Sequence, residues 1–251
     1  MEGHLIGMTR KTMYSCENMT VADPKYLGWL EMLLRMLSHF HPQLVIHVIA
    51  VNWAAEDTRA VVSWAPQVRI HPVTLKLGVH KFPSMVANQR PYWLRAISDM
   101  TESDMLLLDA DLLIRRDISD LLLMLAKSDV GLVLREGRHC GKVRNRLRAA
   151  AGLVYASRVA REFLDLWIST MELRHVIEEV HQGEWFWEQT CLALAADQWS
   201  GPISVIPDAK YLSAYPFDPD ATIWSANVKE PDKARIFEIF RSESDRLWSR
   251  Q

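Results

Sequence analysis

From residue 11 to residue 110 the chain alternates short apolar runs with helical patterns, and this alternation restricts the fold more than any other feature of the sequence. "KTMYSC" (11–16) reads as a strand. "DPKYLGWLEMLLRMLSHF" (23–40) has helical spacing, with Asp23 as N-cap and Pro24 at the first helical position, where its missing N–H costs nothing. "LVIHVIAV" (44–51) is continuous and β-branched, the pattern of a strand covered on both faces. "AAEDTRAVVSWA" (54–65) is a second helix, and "VRIHPVTL" (68–75) a weaker strand whose Pro72 points to a sheet edge or a strand end. "PSMVANQRPYWLRAISDM" (83–100) is helical with a break expected near Pro91, and "DMLLLDA" (104–110) is the clearest strand. Strand, helix, strand, helix, strand implies a mainly parallel α/β sheet with right-handed crossovers, Rossmann-like and flanked by helices.

The second half is less regular. "DVGLVL" (129–134) and "AAGLVYAS" (150–157) read as strands, and residues 158–180 as a long amphipathic helix. Residues 183–198 form a helix carrying tryptophans; "ISVIP" (203–207) and "TIWSA" (222–226) are short strands; residues 230–248 close the chain as a helix. No linker, repeat or low-complexity segment interrupts the 251 residues, so one domain is expected. Its regular half covers about residues 11–122 and its less regular half about 123–251.

The net charge of −2 argues against a globally basic nucleic-acid footprint. Three widely spaced cysteines (Cys16, Cys140 and Cys191) fit neither a disulfide framework nor a zinc site. The first residues lack the apolar core of a signal peptide, and no apolar run reaches the ~18–20 residues that span a bilayer. The expectation is a cytoplasmic protein with no membrane span.

The segment "DMLLLDADLLIRRDISDLL" (104–122) ends an apolar strand with two acids one residue apart. Ligands of open α/β sheets bind beyond the C-terminal ends of the strands, which is where Asp109 and Asp111 fall. On an extended backbone they would share one side. Two carboxylates about 4 Å apart repel by roughly 4 kcal/mol at an effective dielectric near 20. A proton, a basic neighbour such as Arg115 or Arg116, or a hard divalent cation relieves this. Asp also ends strands for ordinary turn reasons, so the triplet alone leaves the choice open. Asp117, before "ISDLLLML", reads as an N-cap instead.

Taken with its surroundings, "LLLDADLLIRRDISDLL" resembles the D-x-D segment of GT-A glycosyltransferases, the group around glycogenin and the bacterial galactosyl- and glucosyltransferases. Further segments resemble that family in the right order. "YSCENMTVADPKYLGWLEMLLRML" resembles its first strand, nucleotide loop and first helix; "NQRPYWLRAIS" its basic residue before the D-x-D; "AAGLVYAS" its following strand; "WEQTCLALAA" its acidic or Gln-bearing helix; and "IWSANVK" its late element. The resemblance implies a GT-A fold and transfer of a hexose from a nucleotide-diphosphate donor, of which UDP-hexose is the expected one, with retention of configuration. It implies that Asp109 and Asp111 hold Mn²⁺ or Mg²⁺, that Asp109 alternatively reaches the ribose, that Tyr14, Ser15 and Glu17 flank the base and ribose, and that Arg90 and Lys229 face the phosphates or donor sugar. Gly152 would permit close backbone approach. Two positions depart from the family: Ser225, with Asn227 nearby, stands where a histidine commonly completes the metal shell, and Ala151 replaces a polar residue before Gly152.

Glu188 and Gln189 are the candidate catalytic pair, as base toward an acceptor hydroxyl or as stabiliser of positive charge on the sugar. A surface acid beside core aromatics is the plainer account of Glu188. Among ten tryptophans, Trp185 and Trp187 are core residues by default, with stacking on a sugar as the alternative. His47 and His71 read as core or edge residues, and Asp208, Asp218 and Asp220 as turn residues. Residues Arg135 to Arg148 hold six Lys/Arg and one acid, which suits either a solvated loop or an anion-binding lid that draws in a glycan, small-molecule or nucleic-acid acceptor. Two other functions stay open. A non-catalytic nucleotide-sugar-binding module would explain Ser225 and Ala151. A sugar-1-phosphate nucleotidyltransferase would need a Gly-rich basic loop that "SCENMTVADP" does not supply.

Overall fold

The computed structural model describes residues 16–76, 82–136, 147–173, 187–227 and 232–249. Its strands are β1 (Cys16–Ala22), β2 (Ile46–Val51), β3 (Val68–Val73), β4 (Asp104–Leu108), β5 (Leu112–Ile114), β6 (Val130–Glu136), β7 (Leu147–Ala156), β8 (Ile203–Val205) and β9 (Ile223–Ser225). Its helices are α1 (Leu27–Phe40), α2 (Ala55–Trp64), α3 (Phe82–Met100), α4 (Ser119–Leu125), α5 (Arg161–Glu172), α6 (Trp187–Gln198) and α7 (Asp232–Trp248). Single helical turns occupy Pro24–Tyr26 and Asp208–Tyr211.

Seven strands form one sheet in the order β3-β2-β1-β4-β7-β6-β8. β1 pairs in parallel with β2 and β4, and β2 with β3; β7 runs antiparallel between β4 and β6; β6 pairs in parallel with β8. The expected mainly parallel sheet is present, with Pro72 on its edge strand. Period-two alternation divides the core. In β4, Leu106 and Leu108 face the layer built from α1, α4 and α7, while Met105 and Leu107 face α3, α5 and α6. β5 and β9 pair antiparallel in a separate two-stranded sheet.

Several expectations need correction. Residues 11–15 of the strand expected over 11–16 lie outside the described residues, and Cys16 opens the first described strand, Cys16–Ala22. Asn18 and Thr20 hid it: both are buried polar residues in a central strand, which hydropathy alone does not flag. α3 runs unbroken through Pro91. β4 stops at Leu108, so Asp109 to Asp111 form a turn, closed by Leu112 N–H donating to Asp109 O at 3.2 Å. The helix expected over 158–180 is described as α5, ending at Glu172, and residues 174–180 lie outside the described set. Asp23 caps as expected, accepting the Lys25 N–H at 2.8 Å, but it caps the turn that precedes α1. Asp117 accepts the Ser119 N–H at 2.6 Å.

Candidate functional site

A cleft opens at the C-terminal ends of β1 and β4. Its lining includes Asp23, Tyr26, Arg90, Asp109, Asp111, Gly152, Glu188, Gln189, Ser225 and Asn227. Each arrives for a local reason. Asp109 continues the alternation of Met105 and Leu107, so it points toward the α3, α5 and α6 layer. There α3 presents Arg90, with Val86 and Ala87 one turn earlier, and the first turn of α6 presents Glu188 and Gln189. The β5–β9 register sets Leu112 opposite Ser225, and Ala226 N–H donates to Asp111 O at 3.1 Å. That pairing brings the late segment to the two acids.

Arg90 is the hub. One guanidinium nitrogen donates to Asp109 Oδ1 and another to Glu188 Oε1, and its Nε donates to Ala87 O at 3.3 Å. Arg90 and Glu188 are both buried, and the Glu188 side chain has no exposure at all. Burial alone would strip charge from both. For Arg90 the two carboxylates outweigh this, and its pKa is raised. For Glu188 burial dominates and raises the pKa, although Arg90 opposes it. The second oxygen of Glu188, Oε2, is buried without a hydrogen-bond partner among the described residues. The Glu188 backbone carbonyl accepts from Trp167 Nε1 at 2.9 Å, which fixes the start of α6.

Asp109 lies against β7. Its N–H donates to Gly152 O at 2.9 Å, and a Cβ added to Gly152 would sit 2.7 Å from Asp109 Oδ2. Glycine is required here because the carboxylate occupies the space of a side chain. Asp111 is half-buried at the other end of the turn. Burial, then the neighbouring Asp109, push its pKa up to about 6, against the pull of Lys233 and Arg90. Lys233 Nζ donates to Tyr26 OH at 2.8 Å. A carboxylate held this high needs positive charge, so Asp111 and its surroundings suit a hard cation. Among the described residues no three His, Cys, Asp or Glu side chains gather to enclose a metal ion. Neutral oxygens, water or substrate oxygens would have to complete the shell.

No protein-family model and no curated protein sequence matches this chain. Solved structures do match. The galactosyltransferase LgtC, determined with donor and acceptor sugar analogues, aligns with a TM-score of 0.62 and 14% identity over 92% of this chain and 96% of LgtC. An active-site glutamine-to-glutamate variant of LgtC gives a TM-score of 0.65 at 15% identity over 91% and 95%. The glycosyltransferase GlyE of Streptococcus pneumoniae TIGR4 gives 0.58 at 16% identity over 91% of this chain but only 59% of GlyE.

The chain has the GT-A fold.

The GT-A cleft gathers many of the residues singled out in the sequence: Arg90, Asp109, Asp111, Gly152, Glu188 and Gln189, along with Ala151, Ser225 and Asn227. Tyr14, Ser15, Lys229 and Trp185 lie outside the described residues, as does most of the basic segment between Arg135 and Arg148. Arg135 itself lines the cleft and forms a two-pronged pair with Asp208, both contacts at 2.7 Å. Glu17 is a correction. It stands near the N-terminal end of β1, away from the cleft, bonded to His47 Nε2 at 2.5 Å and to Ser103 Oγ at 3.2 Å. The opposite end of the same strand reaches the cleft through Val21, Asp23 and Tyr26. Because the strand continues from Cys16 to Ala22, Glu17 falls at its start instead of beyond its end. The sequence does not single out Asp23, Tyr26 or Lys233: Asp23 reads as a cap, Tyr26 as part of the helical stretch 23–40, and Lys233 as part of the closing helix 230–248. Trp187 is a core residue, as the default reading had it. Asp218 accepts the Asp220 N–H at 2.8 Å, which is turn chemistry. Cys16 and Cys191 are free and buried. Among the described residues no helix is long and apolar enough to cross a membrane.

Proposed function

We propose that this chain is a glycosyltransferase that moves a hexose from a nucleotide-diphosphate donor, UDP-hexose first among them, to a hydroxyl acceptor. One observation carries the reading: in a GT-A fold, a buried guanidinium joins Asp109 to Glu188 at the cleft where Asp111 and Gln189 also converge. The whole chain is read as one such domain, with the nucleotide half over about 11–122 and the acceptor half over about 123–251.

Asp23 and Tyr26, at the end of β1, are placed to meet the base and ribose. Lys233, paired with Tyr26, carries positive charge toward the diphosphate, and Lys229 is assigned the same task. A divalent cation held at the Asp109–Asp111 turn would supply Lewis-acid stabilisation of the charge that builds on the departing diphosphate. Arg90 holds Asp109 and Glu188 in fixed positions, so neither must reorganise as charge develops. Glu188 offers its unpartnered Oε2 to a donor hydroxyl or to the positive anomeric centre. Gln189, half-buried beside it, presents an amide to the same face of the sugar. LgtC supports this placement, because its active site also contains a glutamine. Arg135 and the basic residues up to Arg148 are assigned to an anionic acceptor, a phosphorylated glycan or nucleic acid.

The test is a donor screen in which released nucleotide is read by mass spectrometry, with and without Mg²⁺ or Mn²⁺. Release of UDP from one UDP-hexose, lost in Asp111→Asn, is the expected result. Binding of UDP-sugars with no release toward any acceptor or water would leave only a binding module.

A further inference from the structure

Arg115 follows the two-acid turn closely in sequence, yet it spends its donors elsewhere. Its Nε donates to Glu243 Oε1 of α7 at 2.9 Å, and its Nη2 lies 2.9 Å from the same oxygen. Its Nη1 donates to two backbone carbonyls, Pro219 O at 2.8 Å and Ala221 O at 3.0 Å. The Arg115 backbone N–H donates to Thr222 O at 2.9 Å, and its guanidinium carbon lies 3.9 Å from the centre of the Trp224 ring. The side chain is only 10% exposed. Arg116 also reaches Pro219 O, at 3.2 Å, but from an exposed position.

The stretch that Arg115 grips has little else to hold it. Residues 215–222, "YPFDPDAT", carry two prolines and form neither strand nor helix. β9, which follows, is three residues long and pairs with β5 and, through a single bridge, with Ser213. So short a strand in a two-stranded sheet is marginal by itself. Its far end is a wall of the cleft: Ser225 sits opposite Leu112, Ala226 N–H donates to Asp111 O at 3.1 Å, and Ser225 and Asn227 line the cavity. Arg115 itself is not among the lining residues.

We propose that Arg115 is a positioning residue for donor binding: its planar fork fixes the Pro219–Trp224 stretch and, through β9, the wall of the cleft beside Asp111. The inference rests on the glycosyltransferase reading and extends it to a residue outside the cleft. Lysine does not substitute, because one ammonium on a flexible stem cannot serve a carboxylate and two carbonyls in fixed directions.

The experiment titrates UDP with Mg²⁺ into the full chain by calorimetry, which reads the Kd and the number of sites per chain separately. Hydrogen exchange read by mass spectrometry follows residues 219–226 against β4. Arg115→Met and Arg115→Lys are each expected to raise the UDP Kd at least tenfold with the number of sites unchanged. Exchange over 219–226 should quicken at least tenfold while β4 stays within about twofold. Arg246→Ala is the control. Arg246 donates to the same Glu243 at 2.6 Å and makes no hydrogen bond to the 219–224 stretch, so its loss should leave the Kd within about twofold. Fewer sites at an unchanged Kd would show a merely structural role and overturn the inference, as would full rescue by Arg115→Lys. Arg246→Ala matching Arg115→Met would overturn it too, by moving the effect to α7. Wild type that binds no UDP would instead overturn the transferase reading, and the exchange measurement, which needs no ligand, would still decide whether Arg115 holds the stretch.

Discussion

Arg90 bonds Asp109, 19 positions away, and Glu188, 98 positions away, with the two ends of one guanidinium. A single cation therefore ties the turn after β4 to the first turn of α6. The three groups are a unit: either acid alone would be an uncompensated charge in a poorly solvated place, and the arginine alone would be worse.

Replacing Arg90 with methionine leaves Glu188 buried without its partner. Removing one member of a buried ion pair costs about 3–5 kcal/mol, and a loss of that size is expected in urea unfolding. The double variant Arg90→Met with Glu188→Met should recover much of it, because no buried charge is then stranded on α6. A double variant no more stable than the single one would show that Arg90 acts mainly through Asp109.

Gly152→Ala should harm the cleft more than the fold. The new Cβ would meet Asp109 Oδ2 at 2.7 Å, so the carboxylate must move away from β7. Overpacking of this kind costs about 1–3 kcal/mol. Donor turnover should fall at least tenfold, because Asp109 moves together with its contact to Arg90. Turnover equal to wild type would mean that the carboxylate position is not critical.

Glu188→Gln keeps the size of the side chain and removes its charge. UDP binding should stay within about threefold of wild type. Sugar transfer should drop by about 10² or more, in the range typical of a lost acid–base or charge-stabilising group. Calorimetry and nucleotide-release rates on the same preparation separate the two effects.

His41 makes stability depend on pH. It is buried, and its Nε2 accepts the Ile118 N–H at 3.0 Å, which only an unprotonated nitrogen can do. Burial lowers its pKa from 6.5, with Asp117 in partial opposition. The unfolded chain thus takes up the proton more readily than the folded one. The stability from neutral His41 is complete above the unfolded value and declines as pH falls below it, with a limiting slope of about 1.4 kcal/mol per pH unit. Urea melts at pH 5 and pH 7.5 should show a larger difference for wild type than for His41→Gln. Equal differences would assign the acid sensitivity to other groups.

Much of the architecture is written in local pattern. "LVIHVIAV" is apolar at every position but His47 because β2 is covered on both faces, and Met105 to Leu108 of β4 alternate between two cores without a polar residue. Pro72 marks an edge strand because a proline cannot donate to a neighbour. The pair of acids after β4 pointed to the cleft because strand ends are where open sheets bind ligands. β1 escaped notice because Asn18 and Thr20 look like loop residues until they are seen buried in a central strand. That one misplacement moved Glu17 into the expected site and left Asp23 and Tyr26 out of it.

From the sequence alone came the layered α/β plan and the two carboxylates at a strand end, which depend on periodicity and residue chemistry, both local properties; the candidacy of Arg90, Glu188 and Gln189 came with the family resemblance. Only the tertiary structure decided that Arg90 spans Asp109 and Glu188, that Gly152 makes room for Asp109, and that β9 lays Ser225 and Asn227 beside Asp111. These contacts join segments far apart in the chain, and strand register and helix packing set them.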